Sequence, residues 1–357
     1  MNHTIKNMLR AGMSACSICG ITKFFRRKQT GACILMYHGF IEGKPEGLEN
    51  HSRLHLDIEG FRHTAKMLAK HYNVIPLQEL VYKMKTGQPV PPNTVALTFD
   101  DGYASNYLLA LPVLREYDLH ATVFASTGFI EGENYQWPDR LEYAIGHCRE
   151  NVLHLDFPGL PESLSLDTLK MRQKALLRLD PEIKKVPQNR LLESLAHIEE
   201  RAGVALADDT NPPAIYRAMS WQQVREMENS AYISIGSHTH VHAILGNCPV
   251  SFARQDMMRC TELLREKGGV ETPMFAYPNG QPGDFNKETR KMLTELGYGV
   301  AVTTEMEFNQ PDEDLMELKR MGTPLNGYQA DAICSGFVNS VKKPITEKIS
   351  KFIPSSN

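Results

Sequence analysis

The sequence lacks any long apolar run. Nothing in its 357 residues approaches the roughly 20 consecutive apolar residues that a membrane-spanning helix requires. It also lacks an excess of basic charge: 39 Lys and Arg residues stand against 42 Asp and Glu residues, for a formal net charge of -3. This balance gives no reason to expect nucleic acid as a partner. The seven cysteines are an odd, scattered set, a poor disulfide framework that favours a reducing compartment.

Acidic residues are also missing from the first 41 positions. That stretch carries six basic residues with apolar residues between them: Lys6, Arg10, Lys23, Arg26, Arg27 and Lys28. Such a segment can lie on an anionic membrane surface, and a frayed terminus without function is an equal alternative. Residues 11–22 are rich in Gly, Ser, Thr and Cys rather than Leu, which is a poor match to a signal peptide. We therefore expect a cytoplasmic protein, with peripheral membrane contact through residues 1–28 left open.

Short apolar strand candidates alternate with amphipathic helix candidates along most of the chain, a pattern typical of α/β proteins with parallel strands. The strand candidates are Ala32–Tyr37, Asn73–Leu77, Thr94–Phe99, Ala121–Ala125, Ala231–Ile235, Met274–Tyr277 and Tyr298–Val302. The stretch 144–219 is instead rich in Leu, Lys, Arg and Glu and is interrupted by prolines. We interpret it as a helical insertion between two strands. The predicted organisation is a basic segment at 1–30, a main domain at 31–340 and a C-terminal tail at 341–357.

Residues able to do chemistry fall at or just beyond the ends of these strand candidates. They are His38, Asp100, Asp101, Ser126, His238 and Pro278. In a parallel α/β barrel the corresponding strand ends share one rim, where active sites are built. We therefore expect these residues to meet at one end of the fold.

Two adjacent carboxylates, Asp100 and Asp101, follow the strand candidate Thr94–Phe99. A turn with a helix cap is the ordinary explanation of an Asp-Asp-Gly sequence. If the two side chains diverge where the chain turns, one can bind a metal and the other can act on a water. The pair alone does not choose between these explanations.

Three histidines lie within five residues after a later strand candidate, at His238, His240 and His242. On a helical turn the first and third would face the same side, and His240 would point elsewhere. A lone histidine after a strand is usually structural, but three this close favour metal binding. One carboxylate and two imidazoles can hold a divalent metal with coordination positions open, and a second carboxylate would supply a base for hydrolysis of an amide or ester.

The order of the motifs carries a family resemblance. Three motifs follow one another along the chain: Asp-Asp-Gly at 100–102, His-Thr-x-x-His at 238–242 and aromatic-x-x-Pro-x-Gly at 275–280. In this order they resemble the polysaccharide deacetylase family (NodB homology domain), and the resemblance covers roughly residues 32–325. The resemblance implies a TIM-like, distorted (β/α) barrel of about seven parallel strands. It also implies a metal-dependent hydrolase that removes acetyl groups from an N-acetylated sugar or polysaccharide.

The resemblance assigns roles by position. Asp101, His238 and His242 would bind one divalent metal, and Asp100 would be the general base for the water that attacks the acetamide carbonyl. Nitrogen and carboxylate ligands suit zinc, while cobalt, manganese, nickel and iron stay open.

Two features depart from the family pattern. The arginine that usually precedes the aromatic-Pro pair is replaced by Ala276, and Arg320 is a candidate to supply that charge from elsewhere. The histidine expected near the C-terminus is also missing, because no histidine follows His242. An apolar strand ending in His38 resembles the permuted order of poly-N-acetylglucosamine deacetylases, so His38 would be the acid that protonates the leaving amine. A structural histidine at a strand end is the alternative.

Candidate substrate-binding residues come from two places. Tyr277, Pro278 and Asn279 form the turn after the strand candidate Met274–Tyr277, and Trp137 and Asp139 lie in the loop that follows Ala121–Ala125. An aromatic ring and polar groups near the rim can stack on and bond to sugars. The Trp137 region can equally anchor the insertion.

Two other functions stay open. A deacetylase or deformylase of a lipid-linked sugar at the membrane face would use the basic N-terminal segment. A carbohydrate-binding protein that kept the barrel but lost catalysis would explain the missing arginine, although the complete ligand set argues against it.

Overall fold

The strand candidates of the sequence pair into one parallel sheet. The computed structural model describes residues 3–271 and 274–340. The predicted C-terminal tail at 341–357 and the first two residues of the N-terminal segment lie outside the described residues. Seven strands form the sheet, and all of their pairings are parallel. The predicted α/β class and the number of strands are therefore confirmed.

The strands of this sheet, and those of two small sheets beside it, have the following bounds: β1 Cys33–Tyr37, β2 Gly39–Ile41, β3 His55–Asp57, β4 Asn73–Val74, β5 Thr94–Asp101, β6 Ala121–Ala125, β7 Val152–His154, β8 Ser163–Ser165, β9 Ile233–Ser237, β10 Met274–Ala276 and β11 Val300–Val302. The main sheet has the order β1-β5-β6-β9-β10-β11, and β4 pairs with the first two residues of β5. The small sheets are β2-β3 and β7-β8.

A short extended segment, residues 318–321, joins the two edges of the main sheet. Leu318 bridges to Val302 of β11, and Met321 bridges to Leu35 of β1, both in the parallel sense. The peptide N–H of Leu318 donates to the carbonyl of Ala301 at 3.0 Å. Because each edge strand pairs with this segment, the curled sheet becomes a barrel in which the first and last strands flank Arg320.

The α-helices have the following bounds: α1 His3–Ile18, α2 Ile21–Arg26, α3 Ile58–His71, α4 Leu77–Thr86, α5 Leu111–Tyr117, α6 Thr127–Ile130, α7 Trp137–His147, α8 Leu169–Lys185, α9 Leu191–Ala202, α10 Trp221–Glu228, α11 Val250–Leu263, α12 Lys287–Glu295 and α13 Gly327–Cys334. Helix α3 shows how they form. The Asp57 carboxylate caps its first turn by accepting the N–H of Glu59. The buried Phe61 and Leu68 then face the sheet, each contributing about 1.5–3 kcal/mol by leaving water.

One predicted strand is shorter in the structure, and the helical stretch after β5 is irregular. That stretch begins with a π-helical turn, Asn106–Ala110, before α5. Pro112 lies in the first turn of α5, where its missing N–H is tolerated. The strand candidate Asn73–Leu77 shortens to β4, because Leu77 begins α4.

The helical insertion has its own core. Helices α7, α8 and α9 bury leucines and isoleucines against one another, including Leu141, Leu179 and Ile198. Helix α7, which begins at Trp137, also contributes to this core. Helix α8 also continues through Pro181 instead of ending there. Within the described residues no helix is both long and apolar enough to cross a membrane.

Candidate active site

The strand ends meet at one cavity, as the order of residues in the sequence predicts. The cavity has a volume of about 320 Å³ and opens at the carboxyl ends of the parallel strands. Its lining includes six of the residues singled out in the sequence: His38, Asp100, Asp101, His238, His242 and Tyr277. Ser126 lies beneath it, and its hydroxyl donates to the carbonyl of His238 at 3.0 Å. The expected rim site is therefore present in the fold.

Asp100 and Asp101 are the last two residues of β5, rather than turn residues beyond it. Alternation along a strand would send their side chains to opposite faces of the sheet. Asp101 instead has φ 76°, and Gly102 has φ 90°, so the chain turns sharply at this point. This left-handed conformation is unfavourable for a residue other than glycine. It lets both carboxylates reach the same cavity.

Asp101, His238 and His242 form a cluster whose ligand atoms all lie within 4.8 Å of one another. The Nε2 atom of His238 is 3.6 Å from Oδ1 of Asp101, and Nε2 of His242 is 3.4 Å from the same oxygen. That carboxylate oxygen is buried and makes no hydrogen bond to any described residue. A buried carboxylate oxygen facing two imidazole nitrogens fits a divalent metal.

The orientation of His238 is set by the backbone of the neighbouring strand. Its Nδ1 atom is 2.8 Å from the carbonyl oxygen of Ala276 in β10. Donation from Nδ1 leaves the Nε2 lone pair directed at Asp101, which is the arrangement that second-shell carbonyls give to metal-binding histidines. Burial lowers the pKa of both His238 and His242. Their imidazoles are therefore neutral, as metal ligation requires.

The histidine loop is not helical, so the predicted helical turn was wrong. Thr239 has φ 65° and His242 has φ 55°, and these two left-handed residues turn the chain so that the imidazoles of His238 and His242 meet at 4.8 Å between centroids. His240 points elsewhere, as expected: its ring nitrogens contact Thr127 at 2.9 Å and Glu133 at 3.0 Å.

Asp256 of α11 supports this loop. One of its carboxylate oxygens accepts the N–H of His240 and the other accepts the N–H of Val241, each at 3.0 Å. Fixing the two peptides between the ligands stabilises a loop that contains a left-handed, β-branched residue. No sequence motif points to Asp256, because an acidic residue inside a helix usually faces solvent.

Asp100 faces Arg320 across the barrel. The two guanidinium NH groups of Arg320 donate to the two carboxylate oxygens at 2.6 and 2.7 Å, and both side chains are buried. The Arg320 Nε donates to the carbonyl of Thr303 at 2.8 Å. This is a bidentate, charge-assisted pair. Arg320 thus occupies the position for which the sequence offered it as a candidate, beside the predicted base.

The two carboxyl groups have opposite electrostatic surroundings. Burial is the largest single effect and raises the pKa of Asp100, but the charge of Arg320, the nearby His238, the hydrogen bonding from Arg320 and the nearby His38 together outweigh it and lower the pKa to about 2. Asp101 has a pKa raised well above its ordinary value, first by burial and then by the charge of Asp100. A cation held by Asp101 would reverse that shift. Arg320 therefore keeps Asp100 ionised without a metal, whereas ionised Asp101 calls for a cation.

His38 lies just beyond β1 and lines the same cavity. Its carbonyl accepts the side-chain N–H of Asn106 at 2.7 Å, which fixes the backbone at this point. Burial is the main reason that the pKa of its imidazole falls to about 4. His38 is therefore neutral before any substrate binds, and a proton that it donates has to be acquired during the reaction.

The predicted sugar contacts divide into two groups. Trp137, Tyr277 and Asn279 line the cavity, whereas Pro278 and Asp139 are not among the described residues that do so. Asp139 was a wrong prediction. It lies within α7, its exposed fraction is 2%, and its carboxylate accepts the hydroxyl of Tyr103 at 2.9 Å. A helix rather than the expected loop carries these residues and turns Asp139 into the protein.

The insertion contributes cavity residues that the sequence did not indicate. Asp180 and Lys184 of α8 reach the cavity and form an ion pair at 3.2 Å, and the Lys184 ammonium lies 5.5 Å from the centre of the Trp137 ring. Gln136 also lines the cavity, and its buried Nε2 donates to no described residue. Only the packing of α7 and α8 brings these groups to the barrel rim, and no local motif marks them.

A protein-family model described as polysaccharide deacetylase matches residues 87–158 and 191–301 of this chain. The matched residues are slightly more than half of the chain and contain both Asp100–Asp101 and the histidine loop. His38 and Arg320 lie outside the match. The gap between the two matched parts, residues 159–190, falls within the insertion, so this part of the insertion is not covered by the family model.

Individual relatives agree with this match. The chain is 25% identical over 193 residues to YxkH of Bacillus subtilis (strain 168), a protein provisionally described as a polysaccharide deacetylase. The match covers 52% of this chain and 66% of that protein, just under two thirds of its length. Among solved structures, the fold is similar to Streptococcus pyogenes deacetylase PplD in complex with acetate (TM-score 0.56, 18% identity) and to IcaB from Ammonifex degensii (TM-score 0.55, 18% identity). Each comparison covers 86% of this chain and 98% of the other.

Proposed function

This chain belongs to the polysaccharide deacetylase family, and on that premise we propose that it is a metal-dependent hydrolase that removes N-acetyl groups from an N-acetylated sugar or polysaccharide. The observation that carries the proposal is the pairing of two unlike carboxylates in one cavity. Asp101 faces two neutral imidazoles, and Asp100 beside it is held ionised by Arg320. This is the separation of roles that amide hydrolysis by an activated water requires.

Asp101, His238 and His242 would hold the metal. When bound, a divalent cation would polarise the acetamide carbonyl, lower the pKa of a water and stabilise the charge that develops on the carbonyl oxygen. The mixed nitrogen and carboxylate ligand set suits zinc, and cobalt, manganese, nickel and iron meet the same description.

Asp100 would act as the general base. Its carboxylate is ionised at neutral pH, and each oxygen keeps acceptor capacity beyond the single hydrogen bond that it receives from Arg320. The carboxylate would take a proton from the attacking water as the new carbon–oxygen bond forms. Arg320 would keep the carboxylate oriented and its negative charge stable while the cavity excludes bulk water.

His38 would deliver a proton to the leaving amine. Its imidazole starts neutral, and negative charge building up on the substrate would raise its pKa, so that it would take up a proton from solvent. That proton would pass to the leaving nitrogen, while the proton that Asp100 took from the attacking water would return to solvent. The carbon–nitrogen bond then breaks as the nitrogen is protonated, and the products are acetate and the free amino sugar. His38 lines the same cavity as the histidine loop, although it is far from that loop in sequence, and this position supports the role.

The walls of the cavity suit a sugar. Trp137 offers a flat face for a pyranose ring, Gln136 offers a buried N–H donor, and the Asp180–Lys184 pair offers charged groups to hydroxyls. Tyr277 also lines the cavity. A volume of about 320 Å³ is at the small end for ligand pockets, which favours one sugar unit in the site at a time.

The two other functions receive less support. A non-catalytic binding protein has no need for an ionised carboxylate beside a complete ligand set. A lipid-linked sugar at the membrane face would require the site to lie near any membrane-binding part, whereas the basic N-terminal segment enters β1 at the end opposite the cavity.

The test is release of acetate or formate from a panel of N-acetylated and N-formylated substrates, comprising chitooligosaccharides, an N-acetylated polysaccharide and a lipid-linked amino sugar. We expect acetate from the glycans, loss of release after chelation, and recovery with zinc or cobalt. Release that survives complete chelation would contradict the metal requirement, and formate alone would contradict the acetyl specificity.

A further inference from the structure

The N-terminal helices are docked onto the barrel through one buried carboxylate. Asp331 of α13 accepts hydrogen bonds from the hydroxyls of Ser17 at 2.6 Å, Thr22 at 2.5 Å and Tyr72 at 2.7 Å, and Arg26 lies 3.4 Å away. A carboxylate satisfied by three hydroxyls and a guanidinium fixes the segment firmly. Residues 17–26 are therefore an ordered part of the fold, and one of their faces is set by this docking.

The opposite face of the same segment is apolar and exposed. Ile18, Ile21 and Phe24 follow one another at intervals of three residues, with exposed fractions of 64%, 45% and 58%. Phe25, the next residue in sequence, instead packs on Phe337 of the protein body. The docking contacts hold these large apolar side chains outward, where they form an exposed patch. Exposed apolar patches of this kind mark sites of interaction.

The patch is surrounded by positive charge. Lys23, Arg27 and Lys28 are exposed beside it, and the Lys28 ammonium lies 4.2 Å from the centre of the Phe24 ring. No acidic residue occurs before position 42. A helix that binds a membrane interface has this pattern. Its apolar side chains enter the boundary between the lipid headgroups and the acyl chains, and the basic groups around them attract anionic headgroups.

We propose that the face formed by Ile18, Ile21 and Phe24, with its basic rim, docks onto an anionic lipid surface. The docked position also fixes the orientation. Tyr72, which holds Asp331, directly precedes β4, and β4 pairs with the first residues of β5. The patch is therefore at the amino ends of the strands. A membrane-bound molecule would present the catalytic cavity, at the carboxyl ends, away from the bilayer and toward a glycan in solution.

Co-sedimentation of the full chain with vesicles tests the proposal. The two vesicle types are phosphatidylcholine alone and an equimolar mixture of phosphatidylcholine with phosphatidylglycerol. The apolar variant carries Ile21→Ser and Phe24→Ser, and the charge variant carries Lys23→Gln and Lys28→Gln. The matched control carries Leu177→Ser and Lys170→Gln on α8, where Leu177 is 67% exposed. Thermal melting checks that every variant is folded.

We expect the wild type and the control to sediment with anionic vesicles and not with neutral ones, and salt to weaken binding. The apolar variant should bind at least about tenfold more weakly, and the charge variant about fivefold more weakly for each charge removed. Equal sedimentation of all four proteins with anionic vesicles would overturn the proposal, as would wild-type binding that ignores lipid charge. A change of oligomeric state in the apolar variant, with no change in lipid binding, would assign the face to a second copy of this chain instead. None of these outcomes depends on the proposed catalytic function.

Discussion

The buried pair between Asp100 and Arg320 allows the sharpest test of how the site is built. Arg320→Met removes the guanidinium and leaves the Asp100 carboxylate buried without its partner. Arg320 is fully buried and both oxygens of the carboxylate depend on it. The variant should therefore lose stability and catalysis together, although Arg320 touches neither the ligand cluster nor the sugar-binding wall.

The size of the effect follows from the burial of the pair. Removing one member of a buried ion pair usually costs about 3–5 kcal/mol of unfolding free energy, because the other charge stays buried and unpaired. For a chain of this length about 2 °C of melting temperature corresponds to each kcal/mol, so we expect a fall of about 6–10 °C. Without Arg320, burial also raises the pKa of Asp100, and the loss of an ionised base should lower turnover at least about 100-fold.

A double-mutant cycle isolates the interaction. Calorimetry in the presence of a chelator compares Arg320→Met, Asp100→Asn and the double variant, in which no lone charge is left. We expect the double variant to recover about 2–3 kcal/mol relative to the sum of the single changes. Arg140→Met is the matched control. Arg140 makes a similar pair with Glu199 in the insertion, with its Nε 2.9 Å from the carboxylate, and it should lower stability while retaining most turnover. If the losses of unfolding free energy in the two single variants simply add in the double variant, or if Arg320→Met retains wild-type turnover, the role assigned to Arg320 is refuted.

Three further predictions concern individual histidines. His242→Ala should lose bound metal by elemental analysis, whereas His240→Ala should keep it, because His240 faces Thr127 and Glu133; equal metal in both would move the site elsewhere. His238→Ala should behave like His242→Ala, and metal retained by this variant would remove it from the ligand set. His38→Ala should keep the metal and lower kcat by about 100-fold or more if it supplies the proton to the amine, and an unchanged kcat would return His38 to a structural role.

Much of the fold and the centre of the site could be predicted from the sequence, because both follow from local pattern. Alternation of apolar strands with helices gave the parallel sheet. Because the carboxyl ends of parallel strands share one rim, His38, Asp100 and the histidine motif could be predicted to lie close together without any knowledge of long-range contacts. The helical turn predicted for the histidine motif was mistaken, because left-handed residues at Thr239 and His242 turn the chain there instead.

Other features could not be obtained locally. Arg320 has no motif around it, and its position depends on the segment that pairs with both edges of the barrel. The contribution of Lys184 depends on how the insertion folds back over the rim. Asp139 was misplaced because a loop was expected where α7 turns the carboxylate inward. In each case tertiary packing decides where the side chain lies.

Two adjacent residues carry different roles in the proposed site, Asp100 as the base and Asp101 as a metal ligand, and Asp100→Asn separates the two roles. Asparagine keeps the shape of the side chain and one oxygen for Arg320 but cannot accept the proton of water. Metal content and acetate release are measured on the same purified samples of the wild type and the variant. We expect unchanged metal content and a loss of turnover of at least about 100-fold. Wild-type turnover in the variant would rule out Asp100 as the base, and loss of its metal would show that Asp100 takes part in metal binding.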